Sequence, residues 1–255
     1  MDIYIIFENQ DYLIINKPSG LVVHGDGKTD EPSVVSWLQE NRPEINRVGE
    51  AMVITGKGGR EIEIPRPGIV HRIDRDTSGC LVIAKNQASF EYLKDQFKNR
   101  KVDKTYQALV YGSMKNDSGI IDAPIGKSRR DFRMKSAGPH ARGLLREAVT
   151  EYTVVSRYED PKRNDNQNQN LKYTLVELSP KTGRTHQIRV HLKHLNYPIV
   201  SDSLYAGKRK PVLGISRTAL HAHSISFHDS TGELITATCE LASDMKEALL
   251  KIKQI

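Results

Sequence analysis

Cysteine is nearly missing from this sequence. Two occur in 255 residues, Cys80 and Cys239, far apart and in no CxxC pair. That excludes a disulfide framework and a Cys-based zinc site, and it favours a reducing compartment. Long apolar runs are missing too: none approaches the roughly 18–20 residues of a membrane-spanning helix. The start of the chain, Met1 to Glu8, is too short and too acidic for a signal peptide. A cytoplasmic location with no membrane partner is therefore expected. No HExxH pair accompanies the histidines, so His186, His191 and His194 are weak candidates for a metal site and none is expected. There is no internal repeat of the kind that announces a solenoid.

What is present reads as a folded, basic protein. Its balance of 38% hydrophobic and 27% charged residues is that of a globular chain. At this length roughly 70–75% of the unfolded chain's surface can be buried, so the core needs no covalent staples. The net charge is +7, which suggests a polyanionic partner. The charge is also grouped. Lys98, Arg100, Lys101 and Lys104 form one cluster. Lys127, Arg129, Arg130, Arg133, Lys135 and Arg142 form a second, and Lys208-Arg209-Lys210 a third. A charge run is commonly just a solvated face. Three runs in expected loops leave phosphate contact equally open.

Short β-branched or aromatic runs recur with Gly, Pro, Asn and Asp between them. Ile3 to Glu8 and Tyr12 to Asn16 read as two strands around an Asn9-Gln10-Asp11 turn, and Leu21 to His24 as a short strand. Pro32 to Glu40 reads as a helix capped by Asp30, with Val34, Val35 and Leu38 on one side. Residues 41–66 carry Gly56, Gly58 and Gly59 and read as an inserted loop or hairpin. Cys80 to Ala84 is a buried strand and Gln87 to Arg100 a helix with Phe90, Leu93 and Phe97 at helical spacing. Thr105 to Tyr111, Ala148 to Arg157 and Tyr173 to Leu178 alternate as strands do. Between the last two, the polar stretch Glu159 to Asn170 reads as a mobile hairpin loop. Thr185 to Leu195 reads as a helix capped by Thr185. Two more strands and a helix capped near Ser243 follow. Strands outnumber helices and adjoin one another, which reads as α+β with a large, mainly antiparallel sheet.

The run with most chemistry is Pro67-Gly68-Ile69-Val70-His71-Arg72-Ile73-Asp74-Arg75-Asp76-Thr77-Ser78-Gly79. It is dense in polar residues yet lies between apolar segments, so it can be held rigidly and aim side chains. Asp74 is its natural reactive group, as nucleophile or base. Arg72 and Arg75 can grip phosphates, and Thr77-Ser78-Gly79 suits the turn into the next strand. From spacing alone, Asp74 or Asp76 is as well explained as a turn cap, and His71 as a packed histidine. In Thr182-Gly183-Arg184-Thr185-His186-Gln187-Ile188-Arg189 the residues Arg184, Gln187, His191 and His194 share one helix face, either functional or merely solvated. In Asp103-Lys104-Thr105-Tyr106, Tyr106 opens a strand. Its ring is either sheet surface or a platform on which a base can stack.

Together these runs resemble the RluA-type family of RNA pseudouridine synthases. The family's HRLDxxTSG signature stands here as His71 to Gly79 with Ile73 for Leu. Its Lys-x-Tyr run matches Lys104-Thr105-Tyr106, and its TGRxHQIRxH run matches Thr182 to His191. Similarity extends from an NKPSGLxVH-like stretch, Asn16 to His24, to an RxxLHA-like stretch, Arg217 to Ala222. Ser201 and Ala206 stand where the family commonly has glycine, and the 41–66 segment is longer than usual.

The resemblance implies a pseudouridine synthase fold: a bent central sheet with flanking helices and a catalytic cleft. It implies a single catalytic domain over residues 1–255, without the small N-terminal RNA-binding module of some relatives. The expected partner is RNA, ribosomal or else transfer RNA, bound by a monomer that needs no cofactor and no metal. Asp74 is implied as the catalytic aspartate, facing the ribose. It either attacks the anomeric carbon or removes the 2′ proton. Arg184 is implied to pair with it, which orients the carboxylate and favours its ionised form. Tyr106 is implied to stack on the target base and to aid the later proton removal. The uridine leaves its stack at a cost of a few kcal/mol, and Arg72 fills the vacated space or holds the displaced strand. His71, Arg75, Lys104, Arg129, Arg130 and Arg189 complete the expected RNA contacts.

A non-catalytic RNA-binding domain of the same fold and a glycoside-cleaving hydrolase are the rivals. Binding alone does not require Asp74, Tyr106 and Arg184 together, and hydrolysis usually requires a second carboxylate. If the basic clusters carry the affinity, RNA binding measured between low and moderate salt weakens steeply, by roughly tenfold or more. A binding constant that stays flat over that range excludes them as the source.

Overall fold

The computed structural model describes residues 3–26, 29, 31–55, 59, 61–164 and 170–255. In chain order its elements are β1 (Tyr4–Glu8), β2 (Tyr12–Lys17), α1 (Val34–Asn41), β3 (Met52–Thr55), β4 (Glu61–Ile64), β5 (Ser78–Ala84), α2 (Gln87–Lys98), β6 (Asp103–Tyr111), β7 (Ser118–Asp122), β8 (Ile125–Ser128), β9 (Lys135–Ala137), β10 (Ala141–Arg146), β11 (Val149–Asn164), β12 (Asn170–Pro180), α3 (Gln187–His194), β13 (Leu220–His228), β14 (Leu234–Thr238), α4 (Ser243–Leu249) and β15 (Lys253–Gln254). They fall into two compact units. One comprises Met1–Asp103 with Ser224–Cys239, the other Lys104–His223 with Glu240–Ile255. The expected α+β class with mainly antiparallel pairing is what is found.

In the first unit, Asn9 shapes the β1–β2 hairpin. Its Oδ1 accepts from the N–H groups of Asp11 at 2.9 Å and Tyr12 at 2.8 Å, the local bonding that suits Asn to turns. β2 runs antiparallel to β5, from Tyr12 opposite Ala84 to Lys17 opposite Gly79. Every residue of β5 is buried, which explains its unbroken apolar run. Phe90 and Leu93 bury one face of α2, and Asn86 caps it by accepting from Ser89 N–H at 2.9 Å. The expected cap of α1, Asp30, lies outside the described residues. Ser33 makes a capping box with Ser36, a device whose loss typically costs ~1 kcal/mol.

The strand expected over Leu21 to His24 does not form. Two of its carbonyls serve α1 instead: Val22 and Val23 accept from the first helical N–H groups, those of Val34 and Val35, at 2.9 and 3.0 Å. Within residues 41–66, read as an inserted loop or hairpin, β3 pairs antiparallel with β4. Gly56 and Gly58 lie outside the described residues.

In the second unit, β12 pairs with β6 and β11, and β7 and β15 pair with β11, all antiparallel. β8 forms a separate small sheet with β9 and β10, so Lys127, Lys135 and Arg142 of the second basic cluster sit on strands where loops were expected, and Arg129, Arg130 and Arg133 lie in the β8–β9 turn. The polar stretch after Arg157 also pairs, with Glu159 opposite Lys172 and Asn164 opposite Asn170 across a register shift. Backbone ladders need no apolar side chains, so polarity there hid two strand ends. Residues 165–169 lie outside the described residues.

The start of α3 differs from expectation. Thr185 does not cap it; His186 holds the N-cap position, in left-handed backbone at φ 58° and with no side-chain capping bond. The Gln187 amide ties this turn to β11. Its oxygen accepts from Thr182 Oγ1 at 2.7 Å and Arg184 N–H at 3.0 Å, and its nitrogen donates to Val149 O at 3.0 Å. The supposed polar face is therefore partly core, because Gln187 and His191 are buried. The His191 nitrogens bond Thr150 Oγ1 at 2.9 Å and Ala123 O at 3.1 Å, and burial lowers its pKa. Ser243 makes no side-chain cap on α4. Asp244 instead binds Met245 N–H and pairs with Arg217 at 2.7 and 2.8 Å.

Arg189 corrects a functional expectation. It does not face solvent as an RNA contact does. Its guanidinium is buried, donates to Asp202 at 2.7 and 2.9 Å and lies over the Tyr205 ring. Asp202 Oδ1 also accepts from Leu204 and Tyr205 N–H, both at 3.0 Å. Just before it, Ser201 occupies left-handed backbone at φ 58°, the conformation glycine adopts freely. Its hydroxyl donates to Ile215 O at 2.7 Å. Removing one partner of a buried pair leaves an uncompensated charge. Asp202→Ala is therefore expected to lower unfolding stability, read by denaturant titration, by about 3–5 kcal/mol. An apolar double replacement of Arg189 and Asp202 should recover most of that loss.

Candidate active site

The polar run before β5 is fastened to that strand at successive points. Gly68, at φ 67°, packs so closely that a Cβ there would lie 2.4 Å from Ala84 O. Its carbonyl accepts from Ala84 N–H at 2.9 Å, and Ile69 bridges Ile83. His71 Nε2 accepts from Val82 N–H at 3.0 Å, and its ring stacks on Phe97 with centroids 4.5 Å apart. These contacts make His71 part of the framework in place of the expected RNA contact. The chain then turns at Asp74, whose carbonyl accepts from Thr77 N–H at 3.1 Å. The turn thus comes earlier than expected, and Ser78 and Gly79 already belong to β5.

A second segment grips this turn. Lys17, at the end of β2, is fully buried. Its ammonium donates to three backbone carbonyls, those of Leu21 at 2.7 Å, Pro18 at 2.8 Å and Arg75 at 2.9 Å. The Arg75 carbonyl also accepts from Gly20 N–H at 3.0 Å, and Ser19 Oγ donates to Asp76 O at 2.9 Å. Residues 17–21 and 74–77 are thus one hydrogen-bonded body with Asp74 at its edge, half-buried. Sequence reading missed Lys17; the signal was a lysine closing an apolar strand directly before Pro18-Ser19-Gly20.

Arg72 and Arg75 both remain exposed on this loop. Arg75 meets Glu31 at 2.8 Å, a surface pair weak enough to exchange for a phosphate. Arg72 donates to His24 Nε2 at 3.2 Å, and His24 Nδ1 bonds Gly25 O at 2.8 Å.

In the second unit, Lys104 and Tyr106 lie on β6, Tyr106 opposite Leu178 of β12. Arg184 lines a cavity of about 430 Å³ with Lys127, Lys135, Arg146, Leu144 and Thr185, and its Nε donates to Glu147 O at 2.9 Å. Arg129 and Arg130, just beyond β8, are exposed. Arg189 is withdrawn into the core.

The sequence pattern of a known family, RNA pseudouridylate synthase, matches residues 11–194. The chain belongs to that family. It is 36% identical over its whole length to a Bacillus subtilis protein named as an uncharacterized RNA pseudouridine synthase, covering 74% of that protein. It is 34% identical over 97% of its length to ribosomal large subunit pseudouridine synthase D of Buchnera aphidicola, covering 73% of it. Among solved structures, human RNA pseudouridylate synthase domain containing 4 shares the fold at a TM-score of 0.70 and 24% identity, over 98% of this chain and 94% of that one.

Within this family the Lys17 body has a measurable consequence. Lys17→Met keeps the bulk but removes the ammonium that joins three carbonyls, leaving Arg75 O with only its Gly20 N–H donor. Small misplacements of a catalytic group can cost about 100-fold in rate. The variant should therefore form pseudouridine roughly 10–100-fold more slowly at saturating RNA, with RNA affinity unchanged. Rates from single-turnover assays, below the variant's melting temperature, decide this.

Proposed function

We propose that this chain isomerises uridine to pseudouridine in ribosomal RNA, using Asp74, Tyr106 and Arg184 on one flipped uridine. The observation that carries this reading is the family match over residues 11–194, which contains all three side chains. Relatives named for the ribosomal large subunit, 34% identical in Buchnera aphidicola and 33% in Haemophilus ducreyi, support the RNA class. The reaction breaks the bond between ribose C1′ and uracil N1 and makes one between C1′ and C5. The proton leaves C5 and N1 gains one, so no redox partner or metal is required.

Asp74 acts at the ribose, by attack on C1′ or by removal of the 2′ proton. The rigid turn formed with Lys17 supports that role, because a carboxylate in a fixed loop needs no reorganisation to reach the sugar. Arg184 orients the carboxylate, and Tyr106 stacks on the base and assists removal of the C5 proton. Arg72, Arg75, Lys104, Arg129 and Arg130 meet the RNA. Residues 1–255 act as one catalytic domain, as a monomer in the cytoplasm.

Mapping pseudouridines in total RNA with and without the gene tests this. Restoring the gene should return a defined ribosomal pseudouridine, and Asp74→Asn should leave that site as uridine while still binding RNA. Identical maps with and without the gene dispose of the proposal. Sites lost only from transfer RNA move the target and keep the reaction.

A further inference from the structure

Two guanidinium groups share one corner of the first unit with a neutral histidine. Arg66, before the Asp74 run, is partly buried, and its Nε is shut off from solvent with no hydrogen-bond acceptor. The Arg66 and Arg72 charges oppose each other, and both act on His24. Burial first, then the Arg72 charge, pushes the Arg66 pKa below its ordinary value. Burial, then Arg72 and Arg66, push His24 down against the upward pull of its bond to Gly25 O. No carboxylate pairs with Arg66 or Arg72 among the described residues. Since a carbonyl accepts from Nδ1 of His24, its Nε2 carries the lone pair that receives Arg72 at 3.2 Å.

An arrangement of this kind is unfavourable by itself. Like charges repel, partial burial strengthens the repulsion, and a dry Nε without an acceptor carries a desolvation cost. One ligand class relieves all three: a tetrahedral oxyanion with several acceptor oxygens, to which arginine forks are suited.

We propose that Arg66 and Arg72 form a cradle for one backbone phosphate of the substrate RNA, with His24 holding Arg72 in place. This rests on the reading of the chain as an RNA-modifying enzyme, and it adds Arg66 and His24, which have no assigned role. Arg72 then anchors the strand two residues from Asp74, and the phosphate sets where the adjoining ribose stands.

The test uses the full chain with inorganic phosphate and transcribed large-subunit ribosomal RNA as probes. Arg66→Met should melt higher than wild type in phosphate-free buffer, because repulsion is relieved. It should lose the phosphate-induced rise in melting temperature. It should bind the RNA about tenfold more weakly, with a salt slope lower by roughly one. Arg72→Gln, at an exposed position, should also lose the phosphate response. The double variant should reduce the slope no further than either single one, since one phosphate is shared. A phosphate response and RNA slope unchanged in both single variants overturn the cradle, as does Arg66→Met melting lower with RNA affinity intact. Asp74→Asn separates the two readings. If it still forms pseudouridine, the catalytic assignment fails, whereas the cradle stands or falls on binding alone.

Discussion

The ammonium of Lys17 is the interaction on which the rest of the first unit's site depends. A fully buried lysine is rare because its charge loses water. Here each of its three protons meets a backbone carbonyl, so the loss is offset by three dipoles turned toward one point. The dependence runs both ways. Carbonyls of Pro18, Leu21 and Arg75 converge only because a cation sits among them. Once they do, the end of β2 and the turn after Asp74 cannot move separately. A carboxylate on a loop thereby acquires the rigidity usually reserved for side chains on strands.

Cations in this chain divide between framework and surface, and burial rather than sequence makes the division. Arg189, Lys17 and Arg217 are spent on carboxylates or carbonyls inside a unit. Arg129, Arg130 and Arg72 stay where a polyanion can reach them. A net charge of +7 overstates what faces RNA, since the Lys17 charge is buried against neutral carbonyls, while a buried pair such as Arg189 with Asp202 already cancels within that net. The loop arginines fall between these classes: Arg75 holds Glu31 through a bond that water already weakens.

Much of the architecture was legible because periodicity reports burial directly. The continuous run of β5 and the spacing of Phe90 and Leu93 on α2 stand as read; β6 and β12 form as strands, but they bury consecutive residues, Ala108 to Val110 and Tyr173 to Val176, where alternation was expected. Failures cluster where side-chain chemistry and backbone state part company. Leu21 to His24 looks like a strand, yet Val22 and Val23 give their carbonyls to a helix start. Residues 159–164 look like loop, yet they ladder through backbone alone. Around Asp74, what the sequence did not show is which residues of the motif turn inward and which stay exposed. His71 was expected at RNA through the family resemblance, while spacing alone read it as a packed histidine. What decides its role is a backbone N–H on Val82, which no side-chain pattern reveals. Lys17 and Arg66 were passed over for the same reason, because their partners are carbonyls and another cation.

The segment around Asp74 shows how a short run can be both dense in polar residues and well ordered. His71 turns inward to Val82 and Phe97, and Ile73 is buried. Arg72, between them, is exposed. Inward residues fix the path of the chain, so the outward ones arrive at set positions. Had all these side chains faced solvent, the loop would be free and its charges diffuse. Had all faced the core, no charge would be available to a substrate. The fixed presentation of charge by this loop therefore rests on alternation within four residues. The Lys17 body stops the chain on its far side, and the bond from Arg72 to His24 holds an outward arginine two residues from the half-buried Asp74.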